Sequence, residues 1–230
     1  MNEFKFENEN ILQMDSNIHE THISNIQSIS IRCPHCLHVG SFSSVINGLS
    51  WTKYEANQSK TRGRVLVATL RTCPNPKCIG LVFVISSGPN LVKAMPPELI
   101  DFNSDNLPDK LISTLKEAIS CHAAGAYRAS AMMVRRLLEE ICDESGATGK
   151  DLHARIEALK SKITLPEELF EAMSELKALG NDAAHITAKN YSIIGKDESE
   201  DSIELAKEIL KSRYQLKSLV DRLRARKSAT

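Results

Sequence analysis

Cys33-Pro34-His35-Cys36 and Cys73-Pro74-Asn75-Pro76-Lys77-Cys78, with residues 37 through 72 between them, are the stretches whose reading decides the first fold in this chain. A Cys-x-x-Cys turn brings two thiolates to about 2.3 Å from one ion with little chain strain, and two such turns complete the tetrahedron that Zn²⁺ prefers. The second pair has a four-residue gap, still within ligand spacing. Prolines beside each pair pre-set tight loops and leave the remaining N–H groups free to point at sulfur. The spacing therefore predicts a zinc ribbon holding one structural Zn²⁺ through Cys33, Cys36, Cys73 and Cys78. Four cysteines close the coordination shell, which argues against an open, catalytic zinc.

A disulfide and two buried free thiols are the alternatives. Residues 1–20 are rich in Asn and Glu and contain no apolar signal segment, so the reading expects a cytoplasmic protein with reduced thiols. His35 and His38 are read as loop residues rather than as ligands, and Cys121 and Cys142 as small buried hydrophobes in helices.

Outward from the cysteines the pattern is that of strands. Arg64 to Leu70 and Leu81 to Ile85 are β-branched and apolar, bounded by Gly63, Gly80 and the Ser86-Ser87-Gly88-Pro89 turn. A sheet of that size needs the metal to hold it together. Ala94-Met95-Pro96-Pro97 reads as a boundary, because consecutive prolines suit neither a helix interior nor a central strand. The organisation expected is a flexible arm over 1–24, a zinc-ribbon domain over 25–95 and a helical bundle over 96–230, an α+β chain.

The chain is 42% hydrophobic and 25% charged, with no run long enough for a membrane span. Its net charge of zero hides an uneven distribution. Residues 1–25 carry one basic and five acidic side chains (−4), residues 26–95 eight and one (+7), and residues 96–230 twenty and twenty-three (−3). One Zn²⁺ on four thiolates leaves the ribbon at +5. Arg32, Arg62, Arg64, Arg71 and Lys77 could contact nucleic-acid phosphate, or could keep a small sheet soluble.

Beyond the boundary five amphipathic helices are expected. Leu107-Pro108 opens the first, with Leu111, Leu115, Ala118 and Ile119 on one face, and Gly125 breaks it. The second runs from Ala126 to about Glu144 and ends at Gly146; the third carries Leu152, Ile156, Leu159 and Ile163; the last spans about Glu200 to Arg226. In the last, Arg222, Arg224, Arg226 and Lys227 place positive charge where the helix dipole favours it.

The fourth helix starts at Pro166 and ends Ala178-Leu179-Gly180-Asn181-Asp182-Ala183-Ala184-His185. Gly180 falls within its apolar stripe, where glycine costs about 1 kcal/mol against alanine and is tolerable if a neighbouring helix approaches closely. Lys177, Asn181 and His185 follow at four-residue intervals on the flank of that stripe. A cation, an amide and an imidazole on one face can bind a phosphate or act on a ribose hydroxyl. The same spacing fits a helix end at which His185 caps carbonyls and Asn181 bonds solvent or a neighbouring helix.

Ala118, Ala126-Tyr127, Arg135-Arg136-Leu137-Leu138-Glu139 and Leu179 to His185 together resemble the bacterial domain of unknown function 4145, whose members often carry a cysteine-rich ribbon in front. The family is regarded as related to the HEPN superfamily of helical bundles, many of them toxin, CRISPR-associated or other defence ribonucleases. The resemblance implies an RNA- or nucleotide-linked role in phage defence or regulation, and a homodimer formed through the bundle with its site at the interface. HEPN ribonucleases carry an arginine four to six residues before a histidine. Here His185 and Asn181 match, while Ala178, Leu179 and Gly180 occupy the arginine positions and Lys177 lies one residue too far back. Arg135 or Arg136 could supply the charge in space; alternatively they pair with Glu139 and Glu140 at i, i+4. The function expected is a zinc-stabilised binding module lacking the catalytic arginine. The alternatives are a metal-independent endoribonuclease using His185, with Asn181, Lys177 and Arg135, and an adaptor for a partner protein.

Overall fold

The computed structural model describes residues 21–23, 26–53, 64–187 and 190–227. The chain is α+β and divides into two compact units, 1–98 and 99–230. The arm expected over 1–24 lies outside the described residues except for its end, where Thr21–Ile23 form a strand rather than an arm.

The first unit is a seven-stranded antiparallel sheet, larger than the two strands legible in the sequence: β1 (Thr21–Ile23), β2 (Ile29–Arg32), β3 (Val39–Ser44), β4 (Gly48–Lys53), β5 (Arg64–Thr72), β6 (Leu81–Ser87) and β7 (Asn90–Met95). The nine-residue β5 is its spine. One side of β5 pairs first with β4 (Lys53↔Arg64 through Leu49↔Ala68) and then with β3 (Ser44↔Arg71, Ser43↔Thr72). Its other side pairs with β6, and β7 completes a hairpin that is bulged between Ile85 and Ser86. Ile29 and Ile31 of β2, Phe42 of β3, and Val82 and Val84 of β6 bury one core together with Cys33 and Cys73.

The registers explain where the cysteines go. Arg32 pairs with Val39, so residues 33–38 are the turn of the β2–β3 hairpin; Thr72 pairs with Leu81, so residues 73–80 are the turn of the β5–β6 hairpin. Each cysteine pair is thus the tip of a hairpin, and the β3–β5 pairing brings the two tips to one end of the sheet.

The second unit comprises α1 (Asp109–Ala123), α2 (Tyr127–Glu144), α3 (Leu152–Lys160), α4 (Glu167–Ala184), α5 (Lys196–Leu210), a π-turn (Lys211–Gln215) and α6 (Leu216–Lys227). The expected stripes form one core, in which Leu111 and Leu115 of α1, Leu138 and Ile141 of α2, Ile156 and Leu159 of α3, and Met173 and Leu176 of α4 are buried. Each fully buried aliphatic side chain stabilises the fold by about 1.5–3 kcal/mol. α2 packs against α1, α3, α4 and α5 and so forms the centre of the bundle. Gly125 (φ 79°) and Gly146 (φ 67°) end α1 and α2 in the left-handed conformation that glycine permits.

Three details differ from the sequence reading. α3 stops at Lys160 rather than at Ile163, although Ile163 still enters the core. The last helix begins near Lys196, one turn earlier than Glu200, because Glu198 Oε2 accepts the Gly195 N–H at 2.9 Å and closes the start. It is also interrupted at the π-turn, where Gln215 Nε2 donates to the Asn103 and Asp105 carbonyls at 2.7 and 3.1 Å. No described helix is long and apolar enough to cross a membrane.

Candidate functional site

Four sulfur atoms converge where the hairpin tips meet. The Sγ atoms of Cys33, Cys36, Cys73 and Cys78 all lie within 4.8 Å of one another, with Cys33–Cys78 at 3.8 Å and Cys36–Cys73 at 3.7 Å. A tetrahedral ion with bonds of about 2.3 Å needs ligand–ligand edges of ~3.8 Å, so the observed separations fit one ion. They do not fit a disulfide, whose sulfurs lie about 2.05 Å apart, and all four thiols are free.

The two tips are built alike. In the first, the Cys33 N–H donates to the His38 carbonyl at 2.9 Å, and in the second the Cys73 N–H donates to the Gly80 carbonyl at 2.9 Å. The N–H two residues beyond the first cysteine points at its sulfur in both, His35 to Cys33 and Asn75 to Cys73, each at 3.4 Å. The residue after the second cysteine is left-handed in both, Leu37 at φ 61° and Ile79 at φ 44°. Asn75 Nδ2 adds a contact to Cys36 Sγ at 3.6 Å. Such N–H groups offset the negative charge that thiolates would bring together.

Cys33 and Cys73 form the buried floor of the cluster, and Cys36 lies exposed at its rim. The backbone N–H of His38 draws the Cys36 thiol down to about 7, whereas burial pushes Cys73 up to about 12. A cation at the centre would hold all four as thiolates. His35 is not turned to the sulfurs, because its Nε2 lies 3.0 Å from the Leu81 carbonyl oxygen. A β-carbon at Gly80 would meet the His35 ring at 2.5 Å, so the glycine makes room for that imidazole.

The candidate phosphate contacts of this unit are dispersed. Arg62 lies outside the described residues, as does the side chain of Arg64. Lys77 is exposed, and Arg32 lies 3.8 Å from Glu98. Arg71 is 1% exposed and donates through Nη1 to the Gln27 and Phe42 carbonyls at 3.0 and 2.9 Å. Burial lowers its pKa. Contrary to the reading that placed it on a phosphate-binding surface, Arg71 ties β3 and β5 together from inside.

In the helical unit, Lys177, Asn181 and His185 line one cavity of about 440 Å³ at the C-terminal end of α4, with Asp182, Thr187 and Asn190. The i, i+4 spacing survives past the helix end: His185 is the C-cap, and its N–H donates to the Asn181 carbonyl at 3.0 Å. The wall beyond it is a loop fastened by Asp182, whose Oδ2 accepts the N–H groups of Asn190 and Tyr191 at 2.7 and 2.8 Å. Tyr191 in turn donates from its hydroxyl to Glu175 at 3.1 Å, and its pKa is raised by burial first and by this carboxylate second.

Arg135 approaches α4 but is not among the residues lining the cavity. Its Nη1 lies 3.5 Å from the Lys177 carbonyl oxygen, and its Nη2 pairs with Glu139 at 3.3 Å. Arg136 pairs with Glu140 at 3.2 Å, so both i, i+4 pairs form. Glu140 is nevertheless 5% exposed, not the surface residue expected, and also accepts from Thr114 Oγ1 at 2.7 Å.

Sequence reasoning missed Asp182, Thr187 and Asn190. The last two follow no periodicity. Asp182 offered one signal, a carboxylate in the final turn of a helix, where the dipole disfavours it and some specific bond must compensate.

A family model described as a domain of unknown function (DUF4145) matches residues 116–226. The match starts within α1 and runs through α6, further towards the C-terminus than the residues on which the resemblance rests, and it does not include the four cysteines. No curated protein and no solved structure matches the chain significantly.

Proposed function

We propose that this protein is a zinc-stabilised, HEPN-like binding module whose helical unit holds a phosphate-bearing ligand, an RNA strand or a nucleotide, in the cavity at the end of α4. The observation that carries this reading is the convergence of Lys177, Asn181 and His185 on one polar cavity. Amide and hydroxyl groups at Asn181, Asn190 and Thr187 suit the edges of a base or a ribose, and Lys177 supplies the cation for phosphate. Electrostatics sets where the phosphate sits. The α4 carbonyl end and the Asp182 carboxylate repel an anion, whereas Lys177 lies about 12 Å back along the axis from His185. The phosphate therefore belongs at the Lys177 end and the sugar or base nearer His185. Arginine is absent from the lining, which favours binding over cleavage. The resemblance to defence-associated families supports a defence or regulatory setting.

The metal of this reading is one Zn²⁺ per chain on Cys33, Cys36, Cys73 and Cys78. The all-sulfur donor set supports it, and four protein ligands leave it a structural role.

The test is a gel of total bacterial RNA incubated with wild type, Lys177→Ala and His185→Ala. Retarded, uncut RNA that Lys177→Ala releases supports the reading, and retention should weaken steeply with salt. Cleavage lost in His185→Ala would replace it with the endoribonuclease reading. Wild type that neither retains nor cuts RNA, and binds no nucleotide by calorimetry, overturns both.

A further inference from the structure

α6 carries its apolar side chains outward. None of its described residues is buried, and Leu216, Leu219, Val220 and Leu223 are 56, 56, 40 and 63% exposed. Their i, i+3, i+4, i+7 spacing places them on one stripe, the pattern of a helix that packs against another. α5, on the other side of the π-turn, uses its own stripe as expected and buries Ile203, Ala206, Ile209 and Leu210. At 100° per residue, Arg222 and Arg226 flank the α6 stripe on one side, and Lys217 and Arg224 on the other. An apolar patch rimmed by charge marks an interaction surface.

A groove of about 590 Å³ lies beside this stripe, between the first turn of α4 and the long C-terminal helix. Its apolar lining is Pro166, Leu169, Leu216 and Leu219, with Glu168 contributed by α4 and Glu208 by α5. A helix laid in it would have a carboxylate on either flank, complementary to the basic flanks of α6.

We propose that this groove receives α6 of a second copy of the chain, in a two-fold arrangement in which each copy both gives and receives its helix. Two observations select a second copy over another occupant. Leu216 and Leu219 belong both to the stripe and to the groove lining, so donor and receptor surfaces overlap, as an isologous interface requires of one self-complementary patch. The charges complement each other across the two-fold but not within a simple α6–α6 pair, which would set basic flank against basic flank. The concave groove also suits a helix ridge better than a flat anionic surface. Leu169 lies eight residues before Lys177 on α4, about 12 Å along the axis, so the ligand cavity stays open in this dimer and the proposal does not rest on the reading of that cavity.

Light scattering coupled to size exclusion, with sedimentation equilibrium of the full metal-loaded chain, tests this. Wild type should dimerise at micromolar concentration. Leu223→Asp, at a site too exposed to unfold the bundle, should be monomeric with unchanged helical circular dichroism. Glu168→Lys should weaken the dimer at least tenfold, more at low salt than at high. A wild type that stays monomeric overturns the proposal, as does a dimer that persists in Leu223→Asp. If Glu168→Lys leaves the affinity unchanged, the groove is not the receptor and the proposal also fails.

Discussion

Gly180 of α4 lies directly against Arg135 of α2: a β-carbon at Gly180 would meet Arg135 Cβ at 2.5 Å and the Ala131 carbonyl oxygen at 3.2 Å. The glycine in the apolar stripe thus serves a close helix crossing, and Arg135 is held there by packing as well as by Glu139. Gly180→Ala gains about 1 kcal/mol of helix propensity and sets against it an overpacking cost of about 1–3 kcal/mol. We expect a net loss of about 1 kcal/mol in urea unfolding, with weaker ligand retention as the crossing spreads and moves Lys177. A variant more stable than wild type would contradict the close approach.

Chelation should unfold the first unit and spare the second. The sheet builds part of its core from Cys33 and Cys73, so removing the ion also disturbs buried packing. Plasma mass spectrometry should find one metal per chain in wild type and well under that in Cys33→Ser. Circular dichroism after chelation should lose its strand signal and keep its helical bands. Full retention of both would mean that the metal does not hold the sheet.

Ile79 is a β-branched residue at φ 44° and 68% exposed, so its side chain contributes little while its backbone is strained. Left-handed backbone costs an L-residue about 1–2 kcal/mol, partly offset by the extra unfolded-state entropy of glycine. Ile79→Gly should therefore stabilise the metal-loaded protein by about 0.5–1 kcal/mol in thermal melts at fixed metal concentration. An unchanged or lower melting temperature would count against the strain.

His122 is buried between α1, α2 and α5. Its Nδ1 lies 2.9 Å from Ser199 Oγ, its ring packs on Tyr127, and Glu200 and Lys196 exert opposing charge effects on it. Burial, the largest influence, lowers its pKa below 6.5, Glu200 raises it, and Lys196 lowers it further. The unfolded chain then takes up the proton first. The stability from burying neutral His122 is complete above pH 6.5 and is lost as pH falls through the folded value, with a slope of up to about 1.4 kcal/mol per pH unit. The difference in unfolding free energy between wild type and His122→Gln should shrink on acidification. A difference independent of pH would exclude His122 as its source.

The sequence by itself determined the α+β order, the boundary near the paired prolines, the four convergent cysteines and the apolar faces of the helices. Each is written in local spacing: two thiolates per turn, aliphatics at three and four residues, glycine after a helix. It also placed Lys177, Asn181 and His185 on one face, because helical geometry fixes that at short range. Tertiary structure alone decided the rest. β2, β3, β4 and β7 were not legible because Ser- and Gly-containing stretches such as Val39–Ser44 carry little propensity and become strands through pairing with neighbours distant in sequence. Arg71 reads as surface charge, yet the β3–β5 pairing encloses it and two backbone carbonyls accept its protons. Whether the two cysteine turns share one ion, whether Asp182 fastens a loop, and whether the α6 stripe is covered or bare all depend on which segments meet, and meeting is set by register and packing, not by composition.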